Sequence, residues 1–262
     1  MKLATFLPSG SSEPLAGEVR GDDVVAFTTG TVLDRLASGD RTSAEGDAFA
    51  LAEVTLLAPV PRPRAIFGIG LNYAAHAAET GKALPETPMV FLKLPSSSVP
   101  GGGPVRCPAV VTRLDYEVEL ALVMGAGGEI AGYAVADDVS ARDLQKREPR
   151  WVRAKGFDTS CPWGPWITTA DEVENPEGLR ITSRVNGEVR QSSTTADLIF
   201  GPRALVDFIS ETCTLEPGDL ILTGTPQGVG QAMDPPRFLA DGDVVRCEVE
   251  GLGAIEHRIE AR

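Results

Sequence analysis

The chain has 262 residues, 42% of them hydrophobic and 23% charged, the make-up of an ordinary globular protein and not of a disordered or fibrous one. Lys and Arg number 24 against 37 Asp and Glu, a net charge of −13; this excludes the basic footprint of a nucleic-acid binder and disfavours an anionic membrane surface. No apolar run approaches the ~18 residues of a membrane span.

Met1–Pro8 turns polar too early for a signal peptide, so a cytoplasmic protein is expected. Residues 1–61 read as a small β-rich domain. Glu18–Arg20 and Val24–Phe27 flank Gly21-Asp22-Asp23, a hairpin pattern. Thr31 is placed to cap a short helix carrying Leu33 and Leu36, with Asp34 at the third position. Pro59, Pro61 and Pro63 make a stiff break, so residues 62–262 form the second and larger domain. There Ala65–Ile69 is strand-like, and alanine-rich Asn72–Glu79 is helical. Pro95–Pro104 can hold no regular structure. Leu114–Met124 is one alternating strand, Val139–Arg150 is helical in part, and Asn186-Gly187 within Ile181–Arg190 signals a hairpin. Arg203–Thr212 is an amphipathic helix, and Asp219–Thr223 and Val244–Val249 are strands. The expected fold class is therefore mostly β with short helices, α+β. Cys107, Cys161, Cys213 and Cys247 lie far apart with no Cys-x-x-Cys pair, which reads as four free thiols in a reducing compartment. Gly68-Ile69-Gly70 lacks the third glycine of a dinucleotide loop. Gly224–Gly228 lacks the Gly-Lys-Ser/Thr of a phosphate loop.

Three segments carry chemistry. In Leu114–Val123, alternation puts Asp115, Glu117 and Glu119 on one side of a strand. The apolar continuation Ala121–Met124 implies burial, and buried adjacent carboxylates need a cation or a proton. A third acid is at hand where Tyr133–Ala136 runs into Asp137-Asp138. Two glutamates and an aspartate form an all-oxygen set suited to Mg2+ or Mn2+. Of the two histidines, His76 shares a helical face with Glu79, and a carboxylate beside an imidazole is the usual dress of a general base. His257, on a charged tail, reads as a surface residue. Arg142–Lys155 holds six cations and two acids, an island fit for anion capture. Within it, apolar neighbours can bury the Lys155 stem and aim its ammonium inward.

Five segments together resemble the fumarylacetoacetate hydrolase superfamily: Gly70-Leu71-Asn72-Tyr73-Ala74-Ala75-His76, Tyr116–Leu120, Asp138–Gln145, Ala154-Lys155-Gly156-Phe157 running on to Pro162, and Gly218–Gly230. They stand in family order over residues 66–262. The resemblance implies a mixed β-sandwich or β-roll, a homodimer, and one Mg2+ or Mn2+ per subunit held by Glu117, Glu119 and Asp138. It implies that His76 with Glu79 and Lys155 are catalytic, and that Tyr73, Arg142, Gln145 and Thr225 bind a small anionic 2-oxo acid. Where the branch acting on fumarylacetoacetate has a further metal-binding acid, this chain has Leu71. That departure points to the acylpyruvate-type and 2-hydroxymuconate-type members.

The activity the resemblance implies first is metal-dependent hydrolysis of a C–C bond in acylpyruvates or β-diketo acids, as in the catabolism of aromatic compounds. The alternative is an isomerase or decarboxylase of 5-carboxymethyl-2-hydroxymuconate-type or oxaloacetate-type 2-oxo acids, since the same site without water attack performs those reactions. A remote third reading is a non-catalytic member that binds metal or an anion without turnover. Pro95–Pro104 and the Arg184–Gln191 hairpin are expected to wall the pocket.

Overall fold

The apolar runs at the middle of the chain form its central strands. Val118–Met124 and Ile130–Asp137 pair antiparallel, from Val118 opposite Asp137 to Leu122 opposite Tyr133. Both are buried on both faces, and the two-residue period of the pleat sorts their side chains between two cores. Val118, Leu120, Leu122, Met124, Tyr133 and Val135 face the larger one. Ala121, Val123, Ala134 and Ala136 face a second. The computed structural model describes residues 1–261.

These strands lie in a twelve-stranded sheet. On one side the path continues through Cys161–Thr169 to Lys2–Pro8, Leu15–Arg20, Asp23–Ala26 and Ala48–Ala50. On the other it runs through Leu220–Leu222 and Ile66–Gly70 to Met89–Lys93. A five-stranded sheet comprises Glu188–Thr194, Arg180–Val185, Val244–Val249, Gly253–Ala261 and Val105–Cys107. Its Ile181, Val245, Cys247, Val249, Ile255 and Ile259 join the larger core. Most pairings are antiparallel, but Ile66–Gly70 runs parallel to Leu220–Leu222 and Gly253–Ala261 parallel to Val105–Cys107. The architecture is thus the mostly β, mixed-sheet α+β class read from the sequence. No helix among the described residues is long and apolar enough to cross a membrane.

Residues 1–61 extend the long sheet and also cover its second face, where Leu3, Phe27, Val32 and Leu36 pack on Ala121, Val123 and Ala134. The expected hairpin forms, with Arg20 opposite Asp23. The helix Val32–Ser38 starts at Thr31 with reciprocal hydrogen bonds between Thr31 and Asp34. At Asn186-Gly187 both residues have positive φ, 51° and 82°, the conformation a two-residue hairpin turn needs.

Two expectations are corrected. Pro95–Pro104 is partly regular: Pro95–Ser97 makes a turn of 3-10 helix, and Ser98–Pro100 pairs parallel with Cys161–Trp163. An edge strand tolerates the missing proline N–H, and Trp163 Nε1 anchors it by donating to Ser98 Oγ at 2.9 Å. Leu114–Met124 is not one strand. Leu114–Asp115 turns away to pair with Ser140–Ala141, leaving Tyr116 and Glu117 between two strands.

Because the central strand is packed on both sides, Leu120→Ala should cost about 2–5 kcal/mol. Val189→Ala, on the exposed face of a hairpin, should change stability by about 0.5 kcal/mol or less. Urea unfolding of the two variants measures the contrast.

Candidate active site

Sheet register assembles the acids. Glu117 and Glu119 are two residues apart, so they share a side. Val118 opposite Asp137 brings Asp138 level with Glu117, and the Asp138 N–H donates to the Glu117 carbonyl at 2.9 Å. One carboxylate oxygen from each of Glu117, Glu119 and Asp138 lies within 4.8 Å of the others, and all three residues are buried.

Buried cations surround them. The short helix Val152–Lys155 delivers Lys155, whose Nζ donates to Glu117 Oε2 at 2.7 Å and Asp138 Oδ2 at 2.5 Å. Lys93 Nζ donates to Asp138 Oδ1 at 2.7 Å, to Ser160 Oγ at 3.2 Å and to the Lys155 carbonyl. Arg142 bridges Glu117 Oε1 at 2.6 Å and Asp115 Oδ2 at 2.8 Å, and also donates to Gln145 Oε1 at 3.0 Å. Asp115 is a hub: it accepts the Gly230 and Gln231 N–H groups at 2.8 and 3.0 Å.

Four buried carboxylates therefore meet three buried cations, and Glu119 is the one without a cationic partner. Its Oε2 accepts the Gly224 N–H at 2.7 Å. Burial, with Asp138 and Glu117 beside it, pushes the Glu119 carboxyl well above the usual range. For Glu117, burial acts the same way, but Lys155 and Arg142 outweigh it and hold the carboxyl well below the usual range. Burial works against the Lys155 charge, yet Asp138 and Glu117 raise that ammonium. A hard divalent cation fits this arrangement: the donors are all oxygen, their spacing suits ligands ~2.0–2.6 Å from one ion, and Glu119 is left without a cationic partner.

His76 lines a cleft that Glu117, Arg142 and Lys155 also line, and Glu79 lies beside it on helix Ala74–Glu79. His76 Nδ1 lies 2.6 Å from Glu79 Oε1, while Glu79 Oε2 accepts the Gly228 N–H at 2.9 Å. The dyad is thereby clamped to the loop after Leu220–Leu222, and Nε2 is the ring nitrogen left for chemistry. His76, Glu117, Arg142, Gln145, Lys155 and Thr225 all line this cleft. Leu71 and Trp151 line it too, each with φ near +55°; such non-glycine strain is held only where the surroundings enforce it.

Some placements differ from expectation. Tyr73 is fully buried, its hydroxyl has no hydrogen-bond partner among the described residues, and it does not line the cleft. The Thr225 hydroxyl donates its proton to the Val118 carbonyl at 3.0 Å, so it ties the loop to the strand. Pro95–Pro104 and Arg184–Gln191 contribute no cleft wall. Gln191 acts from behind instead, accepting the Val118 N–H at 3.1 Å and donating to Thr225 Oγ1 at 2.7 Å. His257 is not on the surface: it is 2% exposed, its strand being packed on the long sheet. Lys93 stands in no charged segment, and Gln191 stands in the hairpin expected as a cleft wall, so neither role is legible in the sequence. The one available signal for Lys93 was a charge ending the apolar run Met89–Leu92.

Removing one partner of a buried ion pair strands the other. Lys93→Met should therefore cost about 3–5 kcal/mol, read as a lower urea midpoint, whereas a loss near zero would show that Asp138 does not depend on it.

Residues 65–260 match the family described as fumarylacetoacetate (FAA) hydrolase C-terminal. The chain is 43% identical over 219 residues to the mitochondrial oxaloacetate tautomerase Fahd2a of Rattus norvegicus, covering 79% of this chain and 70% of that protein. Among solved structures, the 5-carboxymethyl-2-hydroxymuconate delta-isomerase of Mycobacterium smegmatis aligns with TM-score 0.85 at 34% identity, covering all of both chains. The fumarylacetoacetate hydrolase of Exiguobacterium antarcticum aligns with TM-score 0.89, also at 34% identity and over all of both chains. Motif order, sheet topology and overall similarity agree, and the chain is an enzyme of the fumarylacetoacetate hydrolase family.

Proposed function

We propose that this protein interconverts tautomers or double-bond isomers of a 2-oxo dicarboxylate, of the oxaloacetate or 5-carboxymethyl-2-hydroxymuconate type. The observation that carries the reading is the His76–Glu79 dyad opening on the same cleft as Arg142 and Lys155. The names of the rat and Mycobacterium smegmatis relatives favour isomerisation over C–C hydrolysis, the activity expected first from the sequence.

Moving a proton between C3 and the C2 oxygen of a 2-oxo acid needs a base near carbon and positive charge near oxygen. His76 would carry the proton at Nε2, with Glu79 fixing the ring and stabilising its charged form. Arg142 holds Gln145 by its Oε1, and the amide N–H groups of this cleft residue would be left to hold the substrate. Lys155 supplies fixed charge where the enolate oxygen develops. Glu117, Glu119 and Asp138 would hold Mg2+ or Mn2+, which when bound stabilises negative charge on an enolate. The cleft continues into an outer hollow bearing Lys82, Arg113 and Lys146, none of them within 4.0 Å of a carboxylate among the described residues. In a chain of net charge −13, unpaired cations at one mouth favour a substrate with a second carboxylate.

Hydrolysis of acylpyruvates is the second reading. The same dyad can take a proton from water, and the Exiguobacterium antarcticum likeness supports it. A panel of oxaloacetate, 5-carboxymethyl-2-hydroxymuconate and acylpyruvates, assayed with Mg2+, Mn2+ or chelator, separates the two. The expected outcome is rapid metal-dependent enol–keto conversion without cleavage; release of pyruvate from acylpyruvates alone would replace it with hydrolysis. His76→Ala should lower kcat about 10²–10⁴-fold while leaving binding of oxalate, a planar dianion, within a few-fold. Chelator should abolish both turnover and oxalate binding in the parent enzyme.

A further inference from the structure

His257 has no part in the chemistry above, yet it is buried as deeply as the acids. It lies opposite Val245 in the five-stranded sheet, and its Nε2 is 3.1 Å from Asp137 Oδ2. Asp137 is fully buried at the end of its strand. Its other oxygen, Oδ1, accepts the Glu117 N–H at 2.7 Å.

That N–H matters because Glu117 sits in the gap between Leu114–Asp115 and Val118–Met124. A side chain does there what a strand neighbour does elsewhere. Asp137 Oδ1 receives this single N–H, and neither Asp137 Oδ2 nor either ring nitrogen of His257 has an aligned hydrogen-bond partner among the described residues. A buried carboxylate so poorly matched is costly. A bare imidazole nitrogen facing an oxygen at 3.1 Å would add repulsion between lone pairs. A proton on Nε2 turns the contact into attraction, and a small ring rotation aligns it.

We propose that His257 is a positioning residue: by donating from Nε2 to Asp137 it holds that carboxylate against the Glu117 amide and so fixes one arm of the three-carboxylate cluster. The link to metal affinity rests on the reading of Glu117, Glu119 and Asp138 as the metal ligands; the link to the Glu117 backbone does not. It also explains why a polar residue occupies a strand position that otherwise faces the core with Ile255 and Ile259.

The test uses the full chain, stripped of metal by chelator, as parent, His257→Leu, His257→Gln and Ile259→Ala. Two quantities are read: hydrogen exchange at the Glu117 amide without metal, and Mn2+ affinity by calorimetry. His257→Leu should speed exchange at that amide and weaken Mn2+ binding about 10–100-fold, the usual cost of losing a partner that orients a metal ligand. His257→Gln, whose amide N–H stands where Nε2 does, should recover most of both. Ile259→Ala should lower Tm through a cavity in the same strand without changing either quantity. Unchanged exchange in His257→Leu overturns the proposal, as does His257→Gln behaving like His257→Leu, or Ile259→Ala reproducing both effects. If the parent binds no Mn2+, the ligand reading falls, and exchange at Glu117 still decides the role of His257. In the parent itself, 15N NMR should show His257 protonated at Nε2; an unprotonated Nε2 overturns the proposal without any variant.

Discussion

Charge buried without enough countercharge is the constraint on which this structure turns. Asp115, Glu117, Glu119 and Asp138 are all withdrawn from water, and Lys93, Arg142 and Lys155 are withdrawn with them. Withdrawing seven titratable side chains from water is costly, and the cost is recovered only when each finds close, well-aligned partners. Three of the acids find such cations. Glu119 does not, and its carboxyl is driven upward by its neighbours. A site built this way leaves a buried carboxyl group with no cation beside it, a setting that suits a hard cation.

The scaffold reads as a means of meeting that constraint. Two central strands buried on both faces provide rigid backbone, so acids two residues apart on one and just past the end of the other meet by register alone. The loop from Gly224 to Gln231 is drawn toward the site through Glu119 on a central strand, Glu79 on its helix and Asp115. Gly224 and Gly228 both take φ near +100° there, and a side chain at either would meet Asn72 or the Arg190 carbonyl. From the five-stranded sheet, Gln191 and His257 reach the strand end that carries the acids. The second sheet is thus part of the site's framework although it contributes nothing to the cleft wall.

Whether such a site transfers a proton or cleaves a C–C bond depends on what the cleft admits. The dyad, the carboxylates and Lys155 are equipment shared by both reactions. Cations at the mouth and the apolar Leu71, Phe91 and Trp151 within select shape and charge.

Local pattern was enough for much of this. The hairpins at Gly21-Asp22 and Asn186-Gly187, the Thr31 cap, the central apolar strands and the mostly β class follow from short-range rules of turn chemistry and period, and those rules hold wherever no distant contact opposes them. The acids at 117, 119 and 138, the His76 and Glu79 pair and Lys155 could be singled out because charge inside apolar sequence is itself a local anomaly. Tertiary structure decided the rest. It broke the strand at Tyr116–Glu117 because Asp115 is wanted by Arg142 and the Gly230 loop. It made a strand of Ser98–Pro100 because an edge was free beside Trp163. It buried Gln191 and His257, whose sequence neighbours give no hint of it, and it gave Lys93, at the end of an apolar run, its partner Asp138. Burial and partnership are properties of what packs against a residue, and those partners lie tens to more than a hundred positions away along the chain.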